Sequence, residues 1–265
     1  MQFFSQLNYH YQIFLIAILS VAIGSNISFL SYRIANNKSI FCKRSICVIC
    51  NKALSIKNLI PIFSWIFQKG KCSYCNSKIS IRYPLIELSF LIGFLLTFFV
   101  CESKLDLKTI IYLAIFTNLM FMIITDLEHY FIPNSSQYFL FFLSVILLFI
   151  DSKSGQFFNH LQSAFLYAGF GVGLWLFFYY GAGIEAIGID DIKFFFVSGF
   201  MLGTKLFLTF NLISGLIGVI FGLSWQKIKK DETFPFAPAI CCSAYLCLLF
   251  GKKINVVDLF GKMIL

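Results

Sequence analysis

The 265-residue chain is 59% hydrophobic and only 12% charged, with 35 phenylalanines and a mean hydropathy of +0.84. That balance excludes an ordinary water-facing globular surface and predicts a chain that crosses a membrane several times. The formal net charge of +9 would suit nucleic acid, but residues 33–83 hold ten Lys/Arg and no acid between apolar runs, which is a mark of topology, so no nucleic-acid partner is expected.

Residues 13–30 are uncharged and just long enough to span a bilayer. Gly24, Ser25, Ser28 and Ser31 are small enough to let a second helix approach. No Lys or Arg precedes Arg33, and no small-residue cleavage site follows the run. The run is therefore expected to stay as a transmembrane helix instead of being removed as a signal peptide. Arg33 opens the basic loop, which places that loop inside and the N-terminus outside.

Within the loop stand Cys47-Val-Ile-Cys50 and, 21 residues on, Cys72-Ser-Tyr-Cys75. A cytoplasmic setting disfavours disulfides and favours metal. Two thiolates from each short turn suit one tetrahedral zinc, and Lys43, Arg44, Lys69, Lys71 and Lys78 favour the thiolate form. The alternatives are four reduced cysteines without metal, or a catalytic zinc, for which four cysteines leave no open position. A loop this short needs the metal to hold a core.

After Arg82-Tyr-Pro84, the runs 85–100, 109–125, 135–150 and 161–181 predict spans two to five. Glu87 falls near the start of the second, and Asp126 at the cytoplasmic end of the third. Gly169, Gly171, Gly173, Gly181 and Gly183 predict close helix packing or a bend. Residues 194–223, broken by Gly203-Thr-Lys205, read as spans six and seven in a hairpin. A basic loop with Lys227, Lys229 and Lys230 precedes span eight, residues 236–250, which leaves the C-terminus outside. In this arrangement fourteen Lys/Arg lie inside and seven outside.

The span count puts Asp126, in Met122-Ile-Ile-Thr-Asp-Leu-Glu128, on the same face as the adjacent acids Asp190 and Asp191. An ionised group at membrane depth is expensive, which makes it a functional group with a partner to be found. Two such acids are the minimum equipment of an aspartic protease. The pair shares a proton; one carboxylate draws a proton from water while the other hydrogen-bonds the scissile carbonyl. Gly181, Gly183 and Gly188 would admit an extended substrate backbone. The plainer reading is that the acids cap helices or pair with Lys193. Two other classes stay open: a non-catalytic scaffold whose zinc domain docks a partner, and a proton-coupled transporter. The transporter needs polar groups at mid-depth, where Asn118 and Asn211 are among the few available. Glu87, Glu128 and Glu185 read as supporting groups, and His10, His129 and His160 do not cluster.

These residues resemble the type IV prepilin peptidases, membrane aspartic proteases with a G-x-G-D motif. The resemblance rests on Gly24-Ser-Asn-Ile-Ser-Phe-Leu-Ser-Tyr-Arg33, Arg44-Ser-Ile-Cys-Val-Ile-Cys50, Asn58-Leu-Ile-Pro-Ile-Phe-Ser-Trp65, Gly70-Lys-Cys-Ser-Tyr-Cys75 and Ile81-Arg-Tyr-Pro-Leu-Ile-Glu87. It continues through Asp126 with Ile132-Pro-Asn134, Glu185-Ala-Ile-Gly-Ile-Asp-Asp-Ile-Lys193 and Phe234-Pro-Phe-Ala-Pro238. The cysteine block together with both aspartate segments makes the signature specific. It implies catalytic roles for Asp126 and Asp191, structural zinc on Cys47, Cys50, Cys72 and Cys75, and prepilin or pseudopilin substrates. It also implies N-methylation of the new terminus from S-adenosylmethionine, with ligands not assigned. The chain departs from the motif at Asp190, where the family has glycine, and at Val48, where it has proline. Asp tolerates positive φ, so the motif turn is expected to survive at Asp190, with an extra like charge beside the site.

The expected fold is an all-α polytopic membrane protein with about eight transmembrane helices. Residues 1–32 are the first helix, 33–83 a cytoplasmic zinc-stapled domain, and 84–265 a transmembrane peptidase domain. The expected location is the bacterial inner membrane, multi-pass and surrounded by lipid.

Overall fold

The computed structural model describes residues 8–35, 45–47, 49–151, 154–183, 187–229 and 234–254. Lys43, Arg44, Val48, Glu185 and Lys230, each used above, lie outside the described residues. Apolar runs become helices because hydrocarbon leaves backbone groups no partner but each other. The helices are α1 (Tyr9–Ala35), a five-residue α2 (Phe63–Phe67), α3 (Arg82–Val100), α4 (Leu107–His129), α5 (Asn134–Ile150), α6 (Phe157–Ala182), α7 (Ile189–Leu202), α8 (Phe207–Lys229) and α9 (Ala237–Ile254). Short 3-10 turns stand at Ile56–Leu59, Ser154–Gln156 and Thr204–Leu206.

The all-α membrane class is as expected. Helices stand at all eight expected positions, but among the described residues only five, α1, α3, α4, α6 and α8, are long and apolar enough to cross a membrane. Helices α5 and α9 are apolar but shorter, and α7 has only 14 residues with two acids in its first turn. The third run also ends later than its hydropathy predicts. Helix α4 continues to His129, and Tyr130, at φ 55°, closes it by donating its N–H to the Asp126 carbonyl at 2.9 Å. Asp126 is therefore inside the helix, one turn from its end.

The chain packs as two units, residues 1–113 and 114–265. In the first, α1 and α3 lie against each other. A Cβ on Gly24 would meet Phe90 Cβ at 3.0 Å and Glu87 Cα at 3.2 Å. The Arg82 guanidinium donates to Ser28 O at 3.3 Å, Ser28 Oγ at 3.2 Å and Ser31 Oγ at 2.7 Å. The small residues of the first run thus do bring a second helix close.

In the second unit α7 is the central element, packed against α5, α6 and α9. Phe194, Phe195, Phe200, Phe210 and Tyr167 are fully buried. Lipid is as apolar as these rings, so close aromatic contact holds the helices together more than removal from water does. Phe200 meets Phe141 with centroids 4.8 Å apart and Phe157 at 5.5 Å. The close approach is at Gly199, where a Cβ would lie 2.6 Å from Ser163 O and 2.8 Å from the Tyr167 ring. Of the glycine run in α6 only Gly171 faces α7, a Cβ there meeting Phe195 at 3.5 Å, an ordinary contact, while Gly169, Gly173 and Gly181 have open space around them. Gly183, with φ 68°, ends α6 as its left-handed cap. Gly203, with φ 76°, ends α7 and separates it from α8, as the break at Gly203-Thr-Lys205 predicts.

Candidate active site and metal centre

Asp126 is 7% exposed on α4. Its Oδ2 accepts the backbone N–H of Ala237 at 2.9 Å. Ala237 is the first residue of α9, where N–H groups lack intrahelical partners and the helix dipole is positive. The Phe234-Pro-Phe-Ala-Pro238 segment thus delivers a helix start to an acid 111 residues earlier.

Asp191 is the third residue of α7. Its Oδ2 accepts from Gly188 N–H at 3.1 Å, while Gly188 O accepts from Asp191 N–H at 3.1 Å. This is the acid half of a capping box, glycine having no side chain to supply the other, so one plain role considered for the acid, capping a helix, is real. The same holds for Asp126 on α9. In each acid the described hydrogen bonds engage Oδ2. Both acids are tied to α9: Asp126 holds the N–H of its first residue, and α7, which carries Asp191, packs against it.

Asp190 turns elsewhere. Its Oδ1 receives Lys193 Nζ at 2.8 Å, and Nζ also donates to Asn134 Oδ1 at 2.9 Å. Gln137 Nε2 donates to the Asp190 carbonyl at 3.1 Å. The first turn of α5 therefore holds the first turn of α7. The lysine pairs with Asp190 and leaves Asp191 alone. The motif position needs no left-handed backbone: Asp190 is helical and absent from the residues of positive φ, and Gly188 has φ −76°. The expectation of a turn rescued by Asp at positive φ is corrected accordingly. Gly188 lies beside Asp191, whereas Gly181 has nothing within 4 Å.

The four cysteines form a second centre in the first unit. Their sulfurs all lie within 4.8 Å of one another, with Cys47 and Cys75 Sγ 3.9 Å apart. A tetrahedral zinc with Zn–S bonds of about 2.3 Å separates its sulfurs by about 3.8 Å, so the tetrad fits that ion. Each pair sits on the same backbone device. Cys47 N–H donates to Lys52 O and Asn51 N–H to Cys47 O; Cys72 N–H donates to Ser77 O and Asn76 N–H to Cys72 O. Asn51 (φ 55°) and Asn76 (φ 58°) take the left-handed position that closes each turn. Backbone N–H groups of Cys50 and Ile49 pull the Cys47 thiol down to about 6, and Ser77 lowers Cys75. Cys50 is pushed up to about 11 despite the Lys52 N–H, by desolvation and the neighbouring sulfurs. Backbone donors favour the thiolate at Cys47 and the Ser77 hydroxyl leads at Cys75; the lysines the sequence pointed to are not among the causes.

Two family models match the chain, the Bacterial Peptidase A24 N-terminal domain over residues 18–101 and the Type IV leader peptidase family over residues 111–223. A prepilin leader peptidase/N-methyltransferase of Bacillus subtilis is 32% identical over 257 residues, covering 94% of this chain and 97% of the relative. The chain belongs to the type IV leader peptidase family. Further prepilin leader peptidase/N-methyltransferases of the family include that of Legionella pneumophila, 29% identical over 82% of this chain and 75% of its own. That of Neisseria gonorrhoeae is 32% identical over 76% and 69%. Among solved structures none matches significantly. As a leader peptidase family member the chain is a membrane enzyme, and the scaffold and transporter readings fall away. Asn134, Gln137 and the Ala237 N–H are the site residues that sequence reasoning missed. The signal within reach was the pair of polar residues at the start of an otherwise apolar α5.

Proposed function

We propose that this protein is an aspartic endopeptidase that removes the leader of type IV prepilins and pseudopilins at the cytoplasmic face of the inner membrane. Asp126 and Asp191 are its catalytic pair. The observation that carries the reading is that Asp126 of α4 binds the start of α9 while α7, which bears Asp191, packs against α9, with one oxygen of each acid fixed by a helix N-terminus. Fixed in this way, the carboxyls need no rearrangement when substrate arrives. In this reading the two acids share a proton and titrate as a unit. The ionised member takes a proton from water as the oxygen attacks the scissile carbonyl. The protonated member hydrogen-bonds the carbonyl oxygen and later gives its proton to the leaving amine.

Residues 33–83 are assigned as a cytoplasmic domain in which Cys47, Cys50, Cys72 and Cys75 hold one structural zinc. Residues 1–32 are assigned as the segment of the first helix and 84–265 as the peptidase domain, with both termini outside. Zinc bound there supplies a cross-link between the two knuckles, with no open position for catalysis. Methylation of the new N-terminus from S-adenosylmethionine is carried over from the relatives' name. The groove at residues 57–68 offers Lys57, Asn58, Ser64 and Gln68 but no carboxylate for a ribose, so it does not fit that donor and no step is derived through it.

The test is processing of a prepilin by full-length protein in detergent or liposomes. Asp126→Asn and Asp191→Asn should each lower cleavage by about a hundredfold or more. Full cleavage by either single variant would sink the pair. Loss with Asp190→Asn and retention with Asp191→Asn would move the role by one residue.

A further inference from the structure

The segment from Ile56 to Phe67 sets a backbone irregularity beside two membrane-crossing helices. Ile62 has φ 61° and ψ −56°, a conformation that a β-branched residue rarely takes. It persists because the Ile62 N–H donates to Glu87 Oε2 at 2.6 Å. Glu87 is 6% exposed, and its Cα would lie 3.2 Å from a Cβ on Gly24 of α1. These contacts fix a depth. Glu87 lies five residues into α3, about 7.5 Å along it, and Gly24 lies eleven residues before the end of α1, about 16 Å from it. Both helices are among the five long enough to span. Ile62 is therefore held alongside the apolar stretches, short of where they end.

The side chains around it suit that level. Phe67 is 82% exposed, and Ile60, Phe63 and Ile66 are exposed too. Ile60, Phe63 and Phe67 line one groove with Lys57 at its edge. The segment is tied to the second cysteine knuckle by Asn58 Nδ2 to Ser73 Oγ at 2.8 Å and Trp65 Nε1 to Ile79 O at 3.2 Å. Lys57, Lys69 and Lys71 are exposed nearby, in a stretch without one acid. Apolar side chains at bilayer depth, edged by cations, are the chemistry of an interfacial anchor on anionic lipid. Irregular backbone is tolerated at such depth where a protein group takes its N–H, which is what Glu87 does.

We propose that residues 56–67 form a re-entrant interfacial anchor, inserted in the inner leaflet, with anionic phospholipid covering the Ile60–Phe63–Phe67 face. Glu87 is its positioning residue.

A photoreactive benzoylphenylalanine placed at Phe63 or Phe67 of the full-length protein in cells tests this, with Tyr74 on the second knuckle as the control position. Phospholipid adducts at 63 and 67 should exceed those at 74 by about tenfold, as insertion requires. Glu87→Ala should lower the yield at 67 by at least about threefold, while Glu87→Gln, which keeps an acceptor, should retain it. Equal lipid labelling at 67 and 74 would overturn the anchor. So would adducts at 67 to a prepilin or to a second copy of the chain in place of lipid. Labelling at 67 indifferent to Glu87→Ala would remove Glu87 from the proposal.

Discussion

Asp190 adds a carboxyl group next to Asp191, in surroundings of its own. It stands in the first turn of α7, where the helix dipole favours an anion by about 0.3–1 kcal/mol. Its pairing with Lys193 is more than a third exposed, so solvent screening leaves about 0.5 kcal/mol or less. Asp190→Gly should therefore cost the fold less than about 1 kcal/mol and leave kcat/KM for leader cleavage within about threefold. A melting curve in detergent alongside a cleavage assay measures both, and a hundredfold loss of cleavage would give Asp190 a direct role. Asp126→Asn and Asp191→Asn are sharper probes, because asparagine still accepts the N–H of Ala237 or Gly188. Their melting temperatures should stay within about 2 °C of the parent while cleavage is lost. The acids themselves were legible, since a carboxylate in an apolar run draws attention to itself. Their anchors were not: the Ala237 N–H is a backbone group 111 residues away, and no side chain identifies it.

Helix α7 is positioned by one missing side chain. With Ser163 O 2.6 Å from the place a Cβ would take at Gly199, alanine there forces α6 and α7 apart, and α7 carries Asp191. Overpacking of this kind costs about 1–3 kcal/mol, against the roughly 1 kcal/mol that alanine gains in helix propensity. Gly199→Ala should lower both melting temperature and cleavage. Gly173→Ala, in open space on α6, should be neutral or gain up to about 1 kcal/mol. Equal behaviour of the two variants would remove the close approach as the reason for α7's position. Frequency misled here, because a run of glycines in α6 looks like a packing face while the contact falls on one glycine in the partner. The end of α4 was obscured for a related reason. Hydropathy stops at Thr125, but Asp126 to His129 continue the backbone ladder until Tyr130 turns left-handed. Polarity marks where apolar side chains stop, and helices continue while hydrogen bonds do.

At the scale of the whole molecule, two centres rest on different physics in different units. The acids and their anchors, from Asp126 to Ala237, all belong to residues 114–265, whose helices hold one another through aromatic contact. The cysteine tetrad belongs to residues 1–113, in a stretch with two isolated bridges, Ile46 with Ala53 and Lys71 with Lys78, for regular pairing. So little structure does not hold four sulfurs together by itself; structural zinc in small domains supplies about 10–16 kcal/mol of folding free energy. Purified full-length protein should therefore carry about one zinc per chain, read by elemental analysis. Cys72→Ser should lose it, because Cys72 is 2% exposed and no outside ligand can replace its sulfur. The loss should raise proteolytic cutting between residues 45 and 80 about tenfold, since the zinc's free energy is what orders that stretch. Leader cleavage should fall by less than about tenfold, because none of the groups that fix the acid pair depends on the tetrad. Abolished cleavage at intact α4–α9 packing would mean that the zinc unit itself completes the active site. Full zinc retention in Cys72→Ser would mean that the knuckles are held by something other than the metal.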